Sequence, residues 1–205
     1  MHEGTILTSA VFLALIPFVF ILMTSFTRIS IILTFLRQAL STSVPSAQII
    51  IGLSLILTAY IMHPVLTEIH KEAITPYFKG GEKNPEILLE KGWPPLRFFL
   101  LSHTREKDLQ LFLEMGDENP QSVDEIPWYA LVPAFVLSEL RTAFLLGFLL
   151  FLPFLVIDMV VTSLLMSMGM VLLPPVMISF PFKILLFVVV DGWRLIIQQV
   201  VAGYQ

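Results

Sequence analysis

Charge is missing from long stretches of this chain. Residues 4–27, 38–67, 142–157 and 159–182 contain no Asp, Glu, Lys or Arg. About 20 apolar residues in a helix cross a ~30 Å hydrocarbon layer, so runs of this kind belong in lipid or in a protein interior. The charged residues crowd elsewhere: 19 fall within 68–125, against three in 1–67 (Glu3, Arg28, Arg37) and six in 126–205. The chain as a whole is 56% hydrophobic and 14% charged, where a soluble domain carries roughly 25% charged residues. This pattern excludes a disordered chain and argues against an ordinary soluble enzyme.

The runs predict an all-α membrane-type protein with four hydrophobic helical segments arranged as hairpins. The first candidate span is 5–26, the second 46–66, the third lies within 130–157 and the fourth within 175–200. Pro17, Pro64, Pro133, Pro153, Pro174, Pro175 and Pro181 are expected to kink or break them, since proline removes a helical hydrogen bond. Helical pattern also continues through 27–41, where STSVPS reads as a turn. Three regions follow: 1–66, an N-terminal hydrophobic hairpin; 67–128, a polar helical domain; and 129–205, a C-terminal hydrophobic hairpin. Asp108, Leu109, Leu111, Phe112, Leu113 and Met115 are expected on one helix flank of the polar domain, and Lys79–Glu82 in an exposed loop. That domain is small for a core of its own and is expected to pack against something else.

Met-His-Glu precedes the first run without a Lys or Arg, and no small-residue cleavage site follows it. The run therefore reads as a structural helix rather than a leader. The 27–45 connection carries Arg28 and Arg37 and no acid, which predicts a cytoplasmic position. The polar domain, with twelve acids and seven bases, then lies on the periplasmic side.

The few ions near apolar runs need partners, because an unpaired charge at membrane depth is costly. Arg28 and Arg37 are nine residues apart and point to opposite sides of a helix. Snorkelling to the interface, contact with neighbouring subunits and contact with lipid heads all fit them. Glu139 and Arg141 are two apart and must find different partners. Asp158 and Lys183 suit an internal pair, a pair between subunits, or ion or proton transport, although the Val, Leu and Phe around Asp158 make a poor relay. Asp191 and Arg194, three apart and acid first, suit a pair at a helix end.

Five of the nine methionines fall within 159–177. Met is flexible and polarizable, so it can seal an irregular gap or repack around varied contacts. Gly169 and Pro174–Pro175 suggest a nonhelical break there, and extended backbone would set Met166, Met168 and Met170 on one side. Nonhelical backbone at membrane depth must be buried in protein or line a pore. A pore constriction and a Met-rich turn packed in a bundle are both compatible with the stretch.

Enzyme chemistry finds no support. Cysteine is absent, and His2, His63, His70 and His103 lack ligand-like spacing. There is no phosphate-binding Gly loop, nucleophile elbow or metalloprotease signature, so neither cofactor nor metal is expected. No basic patch points to nucleic acid.

The stretches SFTRISIILTFLRQAL (25–40), HTREKDLQLF (103–112), LVPAFVLSELRTAFLLGFLLFLPFLVIDMVVTSLLMSMGM (131–170) and PPVMISFPFKILLFVVVDGWRLI (174–196) closely resemble the FliP family. Its members form the core of the bacterial flagellar type III export gate. The injectisome counterpart shares IDMVV, PFK and DGW, but HTREKDL and SELRTAF look more flagellar. The resemblance implies about five copies combining with FliQ and FliR, and working with FlhB, in a helical hetero-oligomeric assembly. Its implied cargo is unfolded rod, hook and filament subunits, its implied place the inner membrane and flagellar basal body, and it carries no ATPase activity. It also implies a finished gate sitting largely above the bilayer plane, with prolines and charges packed against partner chains. By the same resemblance a methionine-rich constriction follows Gly169, where this chain carries Met170, then Val171 at a position where relatives often have Met, and Leu172; Met166 and Met168 are pore candidates from the stretch itself. Glu139, Arg141, Asp158, Lys183 and Asp191 match family motifs, which favours assembly contacts over a proton relay. Many relatives carry a signal peptide that is not seen here.

Overall fold

A computed structural model of the chain describes Phe18 and residues 21–79, 85–170 and 172–204, without the side chains of 79, 85–87 and 89. Among the described residues the chain is all helical. Most of the first expected span, with Pro17, lies outside them, as does most of the Lys79–Glu82 loop.

Helix α1, Phe26–Ala39, buries Ile29, Ile32, Leu33, Leu36 and Ala39. The i, i+3, i+4, i+7 spacing puts these side chains on one face. It stops just before Ser41, whose backbone turns left-handed at φ 54°. Helix α2, Ala47–Ile69, contains Pro64 and runs on past it. A π-helical turn, His70–Ile74, carries it into α3, Thr75–Lys79. At that turn the Thr75 N–H donates to the carbonyl of His70, and the Thr75 hydroxyl donates to the same oxygen at 2.8 Å. The hydroxyl thereby supports a carbonyl at the wide turn. Residues 47–78 thus form a 32-residue helical stretch long and apolar enough to cross a membrane, well beyond the expected end at 66.

Helix α4 spans Pro85–His103 and contains Pro94 and Pro95. Helix α5 spans Glu106–Met115. Its expected apolar flank is corrected: Asp108 is the buried residue, while Leu111 and Met115 are exposed. Asp108 goes inward because it finds polar partners there, described below. A short 3-10 turn, Val123–Glu125, leads to α6, Trp128–Ser167. Pro133 and Pro153 both lie inside one 40-residue helix, which neither of them interrupts. Helices α7, Pro175–Val189, and α8, Gly192–Ala202, meet at a 62° bend. Among the described residues there are therefore two membrane-length apolar helices, or three spans if the bent pair counts as one.

The chain divides into two compact units. The first comprises 1–27 and 57–141. Its core includes Phe99, Leu100, Leu131, Ala134 and Phe135, with the Phe99 and Phe135 rings 5.9 Å apart. The second comprises 28–56 and 142–205. There the buried stripe of α1 meets α6, and Gly147 allows the approach: a Cβ at that position would stand 2.7 Å from the Phe35 ring. The units divide inside α2 and α6, while α6 itself begins at Trp128.

Candidate functional site

The methionine stretch joins α6 to α7 within the second unit. Its backbone is a helix-terminating turn rather than the extended segment expected from Gly169. The Met170 N–H donates to the Leu165 carbonyl at 2.9 Å, and the Gly169 N–H to the Met166 carbonyl at 3.1 Å. Together with φ +74° at Gly169, these bonds make a Schellman ending, which satisfies carbonyls that the last helical turn leaves open. A Cβ at Gly169 would meet nothing within 4 Å, so this glycine serves conformation and not space. Met166 is consequently on the last turn of α6, with Met168 and Met170 in the turn. All three are exposed, and Leu172 is 98% exposed. Val171 lies outside the described residues. Pro174 and Pro175 restart the helix, with Pro175 at its first position, where a missing N–H is harmless.

An ion pair ties the two helices on either side of this turn. The Lys183 ammonium on α7 donates to Asp158 Oδ2 on α6 at 2.6 Å. It also donates to Ser41 Oγ at 2.8 Å and to the Ala39 carbonyl at 3.1 Å. All three ammonium hydrogens therefore have acceptors. Lys183 is fully buried, while the Asp158 side chain keeps 28% of its exposure. The other carboxylate oxygen, Oδ1, accepts from the Ser179 hydroxyl at 2.6 Å. Ala39 ends α1, so the buried cation also sits at a helix C-terminus, where the dipole favours positive charge. One lysine thus joins α1, α6 and α7.

The remaining site candidates do not converge on this cluster. Arg28 turns inward, where the sequence leaves it to lipid or to neighbouring subunits. It is 5% exposed, donates from Nη1 to the Gly203 carbonyl at 3.1 Å, and lies 4.0 Å from the centre of the Tyr204 ring. Arg37 is half-buried on α1, without a salt bridge among the described residues. In the first unit, Glu139 is fully buried, whereas Arg141 is exposed and lies 3.4 Å from Asp108. Asp108 Oδ2 accepts from the Ser138 hydroxyl at 2.9 Å, and Ser138 Oγ accepts the Arg105 N–H at 3.0 Å. The expected Asp191–Arg194 pair is corrected: among the described residues no ion pair joins them. Asp191 precedes α8 in a left-handed conformation, φ 52° and ψ 53°, so helical i, i+3 spacing does not apply to it.

Sequence reasoning missed Ser41, Ser179, Asp108, Ser138 and Tyr204. Ser179 had a signal, since it stands four residues before Lys183 and shares its helical face. Arg28 and Gly203 are 175 residues apart, and no local pattern links them.

Comparison with known proteins places this geometry in context. The FliP family model matches residues 9–200. The flagellar biosynthetic protein FliP of Bacillus subtilis is 52% identical over 190 residues, covering 92% of this chain and 86% of that protein. The protein of the same name from Pectobacterium carotovorum is 46% identical, covering 97% of this chain and 76% of its own length. That of Aquifex aeolicus is 44% identical, at 94% and 82% coverage. With the match running from the first apolar run through α8 and identities this high across nearly the full length, the chain belongs to the FliP family.

Proposed function

We propose that this chain is a non-enzymatic, pore-forming core subunit of the flagellar type III export gate, passing unfolded rod, hook and filament subunits across the inner membrane. The observation that carries the reading is the exposed methionine turn, held between two apolar helices that are braced by the bond from buried Lys183 to Asp158. A flexible, polarizable side chain can close around extended chains of varied sequence without a fixed shape. Met166, Met168 and Met170, with Val171, form the constriction in this reading, and the turn's lack of local cover suits a ring of several copies.

Both membrane-length helices carry broad exposed apolar surface, including Phe144, Phe148, Leu152 and Val156 on α6. Five copies of the chain together with FliQ and FliR would cover that surface, with FlhB and the rest of the export apparatus alongside. Residues 1–66 and 129–205 serve as the hydrophobic hairpins. Residues 67–128 face the periplasm, and the arginines of 27–45 face the cytoplasm. Arg28, Arg37, Glu139, Arg141, Asp158, Lys183, Asp191 and Arg194 act in holding chains and helices together. A proton-transport role for Asp158 is less well supported, because both its oxygens are engaged by Lys183 and Ser179.

The test replaces Met168 and Met170 together by Ala in cells lacking the native gene. Ion leakage and secretion of hook and filament subunits are measured, with complex assembly checked by native mass spectrometry in gentle detergent. The expected result is an intact pentamer-containing complex with raised leakage and altered secretion. An intact complex with unchanged leakage and secretion overturns the pore assignment.

A further inference from the structure

Four bonds hold Asp158 and Lys183 in place, and they pull in different directions. Two run from Lys183 to the Ala39 carbonyl and to Ser41 Oγ, at the end of α1 and in the turn after it. The third, from Lys183 to Asp158 Oδ2, joins α7 to α6. The fourth runs from the Ser179 hydroxyl to Asp158 Oδ1 at 2.6 Å and joins the same two helices. Ser179 stands four residues before Lys183, so its bond lies one helical turn, about 6 Å, closer to the methionine turn.

One carboxylate thus grips two successive turns of α7. A single bond between two helices lets them pivot and slide about the contact, whereas two bonds a turn apart fix their register. Stability alone does not call for the Ser179 donor. The Asp158 side chain keeps 28% of its exposure, so water can solvate Oδ1, and Lys183 already neutralises the charge. Ser179 is nonetheless fully buried on an apolar helix. Its hydroxyl stands closer to Asp158 than to the Val176 carbonyl, 3.3 Å away, which is the kind of back-bond a helical serine makes when it has no other acceptor.

We infer that Ser179 is a positioning residue for the methionine turn: its bond to Asp158 fixes the register of α6 against α7, and with it the height at which Met166, Met168 and Met170 are presented. Helix α6 runs nine residues beyond Asp158 to Ser167, about 13 Å, while four residues of α7, about 6 Å, precede Ser179. The end of α6 therefore projects past the start of α7, and the methionines stand on that projection. A slip of one residue at Asp158 moves them by about 1.5 Å along the axis. Ser179 is the link nearest to them that resists such a slip. The register role stands on bonds within the second unit alone. Its importance for sealing rests on the export-gate reading.

Amide hydrogen exchange over residues 164–170, followed by mass spectrometry on the full-length protein in gentle detergent, reads the turn without reference to export. Ser179→Ala should speed exchange there roughly tenfold, the scale on which losing one hydrogen bond to a charged group shifts a local opening equilibrium. Ser41→Ala removes a bond to Lys183 from the α1 side and should move exchange at the turn far less. Equal acceleration in the two variants overturns the proposal, and so does unchanged exchange in Ser179→Ala. Should Ser179→Ala fail to accumulate, Ser179→Thr is compared with Ser179→Val, a pair alike in shape and different in the hydroxyl. The Thr variant should exchange more slowly at the turn, and equal rates overturn the proposal. Ion leakage is then measured in cells carrying the same variants. Faster exchange with raised leakage is the expected result. Faster exchange with unchanged leakage keeps the positioning role and removes the pore reading.

Discussion

Each compact unit contains a carboxylate–cation pair, and the two are built in opposite senses. In the second unit the cation is the buried partner: Lys183 keeps 1% side-chain exposure and Asp158 28%, at 2.6 Å. In the first unit the carboxylate is buried, with Asp108 at 3% and Arg141 at 51%, at 3.4 Å. Desolvation is charged to whichever ion leaves water, so deleting the partner of a buried ion hurts most when nothing else neutralises it. Lys183 has only neutral acceptors besides Asp158, namely Ser41 and the Ala39 carbonyl. Asp158→Ala should therefore cost about 3–5 kcal/mol, a fall of about 6–20 °C in thermal midpoint for a chain of this size. Combining it with Lys183→Met should recover most of the loss, since two apolar groups can replace a buried pair. Thermal unfolding in detergent checks this. A double variant no better than Asp158→Ala would show that the hydrogen bonds to α1, rather than charge neutralisation, are what matter.

A second substitution sharpens the contrast. Asp108→Ala removes the acceptor of the Ser138 hydroxyl and leaves that buried group to find another, at about 1–3 kcal/mol. Asp108→Asn keeps an oxygen for Ser138, and the exposed Arg141 can be solvated by water, so most of the stability should return. Asp158→Asn should not rescue its site, because the buried Lys183 charge would remain without a counter-ion. Midpoints for the two Asn variants, measured side by side, test whether the buried partner's sign governs the outcome. Equal losses at the two sites would break the comparison.

Much of this architecture was legible because hydropathy is local. The charge-free runs find α2, α6 and the α7–α8 pair without reference to anything distant. Proline at positions 64, 133 and 153 does not end a helix, since the helix continues through each residue. Helix propensity is a weak prior where the surrounding segment is strongly apolar and long. The Met turn was legible as a break through Gly169, yet its geometry depended on backbone hydrogen bonds that composition does not encode. Asp158 and Lys183 were recognisable as two charges needing partners, and Ser179 could have been added from helical spacing. Ser41, brought to Lys183 across 142 residues, and Tyr204, brought to Arg28, could not. Long-range polar partners are fixed by how helices pack, which a single sequence shows only through family resemblance.

The smallest effect belongs to the exposed member of the first unit's pair. Arg141→Ala leaves Asp108 with its bond from Ser138, and an exposed ion pair typically contributes less than about 1 kcal/mol. The shift in midpoint should be no more than a few degrees at low salt and should shrink as ionic strength rises, because the Debye length falls from about 10 Å at 0.1 M to about 3 Å at 1 M. The loss caused by Asp158→Ala should change little over the same range, since screening ions cannot reach the fully buried Lys183. Salt titration of both variants thus reads burial directly: a salt-dependent penalty for Asp158→Ala would mean that ions reach Lys183, which the packing of α1, α6 and α7 around that lysine argues against.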